Sequence, residues 1–330
     1  MTDIAILLAG FALLIAGGEI LVRGSVRVAQ LAGMSPLVIG ITLVGFGTSA
    51  PELVTSIQAS LAGSPGIAVG NVVGSNIANI LLILGVAALL SPMTVSKQAY
   101  RRDGTTVALA ALLFNLVGYF LTLNRWVGAA FLAMLASYIW LAYRQERTAP
   151  EEGEPAPVSM AAAVEGVEPE PLIAGADRLR REGVVLPLLA ALAGLAIIVA
   201  GGKLLVDGAT SLARAWGISE TIIGLTIVAV GTSMPELVTS AVAALRKQSD
   251  VALGNVMGSC VYNLLGIAGT TGLIAPTIVP PEIVSFDNLV MLAASLMMLV
   301  FARSALRISR MEGALLLASY CLYLFWIWPA

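Results

Sequence analysis

GTSAPELVTS at positions 47–56 returns as GTSMPELVTS at 231–240, and each copy sets one glutamate, Glu52 or Glu236, inside an otherwise apolar stretch. The likeness runs further on both sides. Gly40 to Gly85 and Gly224 to Gly269 align without a gap at an offset of 184, and 24 of the 46 positions are identical. Identities include Thr48/Thr232, Ser49/Ser233, Pro51/Pro235, Glu52/Glu236, Ser75/Ser259 and Asn79/Asn263. AGGEILVRG (16–24) also matches AGGKLLVDG (200–208) at the same offset, so the duplication is larger than its core.

The surroundings of this repeat are those of a membrane protein. The chain is 58% hydrophobic and 12% charged, with a mean hydropathy of +0.93, whereas soluble domains carry about 25% charged residues. A net charge of −2 gives no reason to expect a nucleic-acid partner. The sequence has no histidine, which excludes imidazole metal sites, imidazole proton relays and Ser-His catalysis together. Cys260 and Cys321 lie in apolar segments without pairing or metal spacing and read as packing residues. With no nucleotide motif either, neither an enzyme nor a bound cofactor is expected. MTDIAILLAG has no basic residue before its apolar run, so it reads as a retained span rather than a cleaved leader.

Ten stretches approach the about 20 apolar residues a span requires: 4–22, 36–62, 67–90, 104–123, 126–143, 184–206, 219–245, 251–274, 284–302 and 311–328. Residues 144–183 hold nine of the twenty acidic residues with many Pro and Ala, and read as a disordered linker. Three regions follow: a five-span repeat over 1–143, the linker, and a second five-span repeat over 184–330. Counting Lys and Arg on alternate sides of the ten spans gives fifteen against three. Positive charge marks the cytoplasm, which predicts an inner-membrane protein with both termini outside and the linker inside. Five is odd, so the second repeat enters from the opposite face. The expected fold is an all-α integral membrane protein of ten transmembrane helices in two inverted-topology repeats, a plan that places its site at the midplane.

Glu52 and Glu236 are the centre of that site. A charged side chain at the bilayer centre costs about 2.5–3.5 kcal/mol, and the apolar cores of the spans on either side of each glutamate's turn contain no Lys or Arg to pair with it. Thr48 and Ser49 precede Glu52 by four and three residues, as Thr232 and Ser233 precede Glu236, and helical spacing predicts that each trio shares a face. In the next spans Asn71, Ser75 and Asn79 recur every four residues, as do Asn255, Ser259 and Asn263. Gly45, Gly47, Pro51, Gly231 and Pro235 predict broken helix bonding before each glutamate, freeing backbone carbonyls. Gly70-x-x-x-Gly74 and Gly254-x-x-x-Gly258 read as close-packing motifs. All proposed ligands are oxygens, a shell that suits a hard cation, and coordination by six to eight oxygens suits Ca²⁺ better than Mg²⁺. Na⁺ accepts the same oxygens and competes for the cluster, which with alternating access makes an antiporter.

At GTSAPEL, GNVVGSNIAN, GTSMPEL and GNVMGSCVYN the chain resembles the sodium/calcium exchanger branch of the calcium/cation antiporter superfamily, prokaryotic type. The resemblance implies ten helices, inverted repeats, exchange of Na⁺ for Ca²⁺, and a first and sixth helix that slide across the rest. It also implies ion ligation at Thr48, Ser49, Glu52, Ser75, Asn79, Thr232, Ser233, Glu236, Ser259 and Asn263, with backbone carbonyls near Gly45 and Ala229. An archaeal relative has an aspartate at the position of Asn263, leaving two carboxylates here rather than three. The GNxxE-type motif of proton-coupled members is missing. Ca²⁺/H⁺ exchange or K⁺ co-transport on the same scaffold is the alternative, and a cation channel or ion sensor is a more remote one. No obligatory protein partner is expected.

Overall fold

The computed structural model describes residues 2–31, 48–147, 183–303 and 306–328. Eleven helices follow one another: α1 (Thr2–Leu31), α2 (Ala50–Leu61), α3 (Pro65–Leu90), α4 (Lys97–Phe120), α5 (Arg125–Arg147), α6 (Val185–Trp216), α7 (Glu220–Thr232), α8 (Met234–Leu245), α9 (Ser249–Ile274), α10 (Ile283–Arg303) and α11 (Arg310–Ile327). Eight are long and apolar enough to cross a membrane by themselves, and α7 with α8 makes one further span bent by 48°. The expected span 36–62 is described from Thr48 onward, and its earlier half, like the linker over 148–182, lies outside the described residues. The fold is that of an all-α integral membrane protein built from two inverted repeats.

Inversion can be read from which equivalent parts touch. Gly10, Gly17 and Gly24 of α1 become Gly194, Gly201 and Gly208 of α6 when shifted by 184. A Cβ on Gly10 would sit 3.0 Å from the Gly201 carbonyl, one on Gly17 2.9 Å from that of Gly194, and one on Gly24 2.8 Å from that of Pro187. As positions rise along α1 they fall along α6, so two equivalent helices pack antiparallel, backbone against backbone. Small residues permit that approach inside a bilayer, where hydrophobicity does not press helices together.

The loops repeat the same relation. β1 (Met93–Thr94) pairs antiparallel with β2 (Arg307–Ile308), Met93 opposite Ile308 and Thr94 opposite Arg307. At another pair of helix ends Leu123 and Thr277 exchange both backbone hydrogen bonds at 3.1 Å. Moving Met93 forward and Ile308 back by 184 gives 277 and 124, the second pairing to within a residue. The loop after α3 in one repeat thus lies beside the loop after α10, which is the equivalent of α4, in the other. That arrangement requires the copies to be upside down relative to one another. These strand pairings were not legible in the helical periodicity.

Helix ends depart from the expected spans. α1 and α6 run well past 22 and 206 because hydropathy marks membrane depth rather than helix length, and Arg, Ala, Leu and Gln continue a helix readily. Burial sorts the layers: α3 and α9 are 83% and 89% buried over their apolar windows, against 28% for α1 and 22% for α6. The two central helices therefore carry the packed interior, and α1 and α6 form a pair along its flank. α3 also meets α7 closely, since a Cβ on Gly74 would lie 2.4 Å from the Leu225 carbonyl. For Gly254 and Gly258 no described neighbour lies within 4 Å.

Gly194→Val should lower the thermal midpoint of the detergent-solubilised protein, at a cost of about 1–3 kcal/mol or more from overpacking. Its Cβ would stand 2.4 Å from the Leu21 amide nitrogen. An unchanged unfolding curve would remove the α1–α6 seam from the contacts that hold the fold.

Candidate ion-binding site

The helix break comes two residues earlier than the proline that causes it. Ser49 (φ −87°, ψ 6°) and Ser233 (φ −84°, ψ 9°) leave helical geometry at the same step of each copy. Pro235 has no N–H for the carbonyl four residues back, at Gly231, and its ring crowds that carbonyl. The chain restarts as α2 and α8 with Pro51 and Pro235 in the opening positions, where a missing N–H costs nothing. Glu52 and Glu236 therefore stand in the first turn of a helix. The positive end of the helix dipole favours a carboxylate there.

Both glutamates are sealed from solvent, at 1% and 0% exposure. Each is met by a serine hydroxyl from the opposite repeat. Ser233 Oγ donates to Glu52 Oε1 at 2.9 Å, and Ser49 Oγ donates to Glu236 Oε1 at 3.4 Å. Ser259 Oγ adds a bond to the same Glu236 oxygen at 3.4 Å. The expectation that Ser49 joins Glu52, and Ser233 joins Glu236, on one helical face is thus corrected. That spacing assumes an unbroken helix, and the break at each serine swings its hydroxyl to the other copy.

Thr232 Oγ1 also crosses, its single proton lying within reach of Asn71 Oδ1 and of the Val228 carbonyl, each at 3.0 Å. The Ala229 carbonyl lies 3.2 Å from Thr232 Oγ1 and accepts from Ser75 Oγ at 3.4 Å and from the Ser233 amide at 3.1 Å. Thr48 is buried just before α2. Gly45 lies outside the described residues.

Asn79 and Asn263 sit at matching places in widened, π-helical turns of α3 and α9, Ala78–Ile83 and Tyr262–Ile267. The first turn packs on α8 and the second on α2, so each asparagine segment adjoins the opposite glutamate's helix. Single π turns inside α-helices occur often at functional sites. Both atoms of each amide, together with Glu52 Oε2 and Glu236 Oε2, are buried without a hydrogen-bond partner among the described residues. Buried polar atoms are normally satisfied; here one oxygen of each carboxylate and the whole amide of each asparagine are left open.

Sequence reasoning missed two features. Ser56 and Ser240 are part of the framework: Asn71 Nδ2 bridges the Glu52 carbonyl at 3.1 Å and Ser56 Oγ at 2.9 Å, and Asn255 Nδ2 bridges the Glu236 carbonyl at 3.1 Å and Ser240 Oγ at 2.8 Å. Their identity at i+4 from each glutamate was the available signal. A second duplicated acid, Asp103 and Asp287, also lies 184 apart, buried at 6% and 4% exposure. Tyr138 donates its hydroxyl to Asp103 at 2.8 Å and Tyr323 donates to Asp287 at 2.9 Å, tying α5 to α4 and α11 to α10. Arg102 holds Asp103 through Nε at 2.7 Å.

The fold and the cluster define a class: a multi-pass membrane protein whose two inverted halves jointly enclose a pair of carboxylates amid hydroxyl and amide groups. A family model described as sodium/calcium exchanger protein matches residues 2–144 and 186–328, and the chain belongs to that family. Its members are transporters. The chain is 35% identical over 343 residues to "Sodium/calcium exchanger MaX1" of Methanosarcina acetivorans, covering 97% of this chain and 96% of that one. It is 34% identical over 332 residues to "Inner membrane protein YrbG" of Escherichia coli, covering 98% and 97%. Among solved structures it is similar to the sodium-calcium exchanger NCX_Mj soaked with Na⁺ and Ca²⁺, with a TM-score of 0.64, 30% identity and 98% coverage of each chain.

Asn71→Ala and Asn255→Ala should each strip a buried carbonyl and a buried hydroxyl of their shared donor, costing about 1–3 kcal/mol. Thermal unfolding of both variants should fall, and further for Asn71→Ala, which also gives up the Thr232 contact of its Oδ1. A loss in one and none in the other would break the equivalence of the two bridges.

Proposed function

We propose that this chain is a secondary active antiporter that exchanges Na⁺ for Ca²⁺ by alternating access, with the cluster around Glu52 and Glu236 as the ion site. The observation that carries the reading is the cross-bonding of two fully buried carboxylates by the opposite repeat, each with one oxygen left open. Glu52, Glu236, Thr48, Ser49, Ser75, Asn79, Thr232, Ser233, Ser259 and Asn263 supply side-chain oxygens, with carbonyls near Gly45 and Ala229. Two carboxylates balance one Ca²⁺, and the hydroxyl, amide and carbonyl oxygens fill out a shell of six to eight. Several Na⁺ balance the same charges.

The exchange itself follows from the electrostatics. A cluster that keeps two charges in a low-dielectric interior is costly to reorganise empty, since isolated buried charge is far more expensive than compensated charge. Loaded with Ca²⁺ or with Na⁺ it is close to neutral. Reorientation is then favoured when either ion is bound and disfavoured when neither is, which couples the two fluxes. α1 packs chiefly on α6, its own equivalent. This pair is the element whose sliding opens the cluster to one side and then the other. The fifteen-to-three charge count supports an inner-membrane placement with both termini outside and residues 144–183 as a cytoplasmic linker between repeats over 1–143 and 184–330.

Proteoliposomes loaded with Na⁺ should accumulate ⁴⁵Ca²⁺ on dilution into Na⁺-free buffer. Uptake driven by a pH gradient and indifferent to Na⁺ would replace this reading with Ca²⁺/H⁺ exchange, and passive uptake without a counter-ion would replace it with a channel. Glu52→Gln and Glu236→Gln should each abolish exchange, and full activity in either removes that residue from the site. Ser233→Ala loses a hydrogen bond to a charged group, about 1.5–3 kcal/mol, and should weaken Ca²⁺ roughly 10- to 100-fold.

A further inference from the structure

A crevice of about 800 Å³ lies between α4 and α5, well apart from the carboxylate cluster in residue content. Its lining divides into two ends. Gln98 and Arg101 come from the opening turns of α4 and Gln145 from the last turns of α5; because consecutive helices run antiparallel, these groups share one end. Leu109, Leu113 and Leu141 line the remainder and are exposed on the outer surface of the protein. From Arg101 to Leu113 is twelve residues, about 18 Å of helix. That length slightly exceeds half of the about 30 Å hydrocarbon core. The crevice therefore starts at a membrane boundary with positive charge and continues as an apolar slot to roughly mid-membrane depth.

The duplication supplies an internal comparison. Shifted by 184, Gln98, Arg101 and Arg102 become Glu282, Ser285 and Phe286. Phe286 stacks on Tyr323 and on Trp326, with centroids 6.4 Å apart in each case, so rings from α10 and α11 meet at the equivalent place. Glu282 Oε1 there accepts from Thr221 Oγ1 at 2.8 Å. One copy has a basic crevice, and the other has contacting aromatic rings and a carboxylate in place of the glutamine. Because the copies are inverted, the two clefts face opposite leaflets. Beside the basic one Arg144 lies 5.4 Å over the Trp140 ring, an aromatic-basic rim of the kind found at membrane–water interfaces.

We propose that the α4–α5 crevice binds one anionic phospholipid of the membrane, its phosphate at Arg101 and an acyl chain along Leu109, Leu113 and Leu141. Basic pockets between transmembrane helices recognise acidic lipid head groups through charge, while the slot holds the chain. The proposal is independent of which ions the protein exchanges.

Native mass spectrometry of the full chain in detergent, titrated with phosphatidylglycerol or with phosphatidylcholine of the same acyl chains, tests it. Phosphatidylglycerol should be retained about fivefold over phosphatidylcholine, the ratio for about one favourable basic contact. Arg101→Gln, at an exposed position, should erase that preference and leave the phosphatidylcholine level unchanged. Ser137→Phe, which fills the crevice from its α5 wall, should reduce both lipids. Equal retention of the two lipids by the wild type, or an undiminished preference in Arg101→Gln, overturns the proposal. So does an adduct of inorganic phosphate alone that displaces phosphatidylglycerol at equal concentration, since an acyl chain would then contribute nothing.

Discussion

Two carboxylates held at membrane depth without a basic partner are the constraint on which the rest of this structure depends. Among the described residues the ion pairs, Arg23 with Glu19 and Arg102 with Asp103, lie elsewhere. Glu52 and Glu236 are tempered instead by dipoles: the amide end of their own helix, and serine hydroxyls from the opposite repeat. Dipoles reduce the cost of a charge without cancelling it. The proline breaks serve this end by bringing a helix N-terminus into the bilayer interior, and the asparagine bridges satisfy the carbonyls that the breaks disturb. The unpartnered amides at Asn79 and Asn263 add polarity rather than charge, so the described residues give the two carboxylates no counter-charge.

Much of this was legible in the residues. A repeat at fixed offset, an odd number of spans and a lopsided arginine count together implied inversion, and the structure displays it in the α1–α6 seam and in two loop pairings. The glutamates stood out because charge inside an apolar stretch is costly. Other features had no local signature. Periodicity assumes a continuous helix, so it could not foresee that breaks at Ser49 and Ser233 exchange hydroxyl partners between copies. A π turn at Asn79 leaves no mark in composition. The β1–β2 pairing depends on loops 210 or more residues apart meeting in space, which no short window contains. Asp103 and Asp287 escaped notice because sequence identity between the copies fades beyond the core.

The two copies have stayed alike where they face each other and diverged where they face lipid. Around the cluster a change in one half alters the environment of the other half's carboxylate, so both are held to the same residues. At the α4–α5 and α10–α11 clefts no such reciprocity exists. Arg102 faces Asp103 in one copy while Phe286 stacks on Tyr323 and Trp326 in the other.

The exchange of serine hydroxyls between repeats also bears on how such a chain could arise. A single five-helix copy holds a carboxylate and a serine that cannot serve one another, because the break directs the hydroxyl outward. Such a copy completes its polar environment only against a second one inserted upside down. An ancestor of one repeat would therefore have had to enter the membrane both ways, with Lys and Arg balanced across its loops. Fusion of two such copies would relieve each half of that balance.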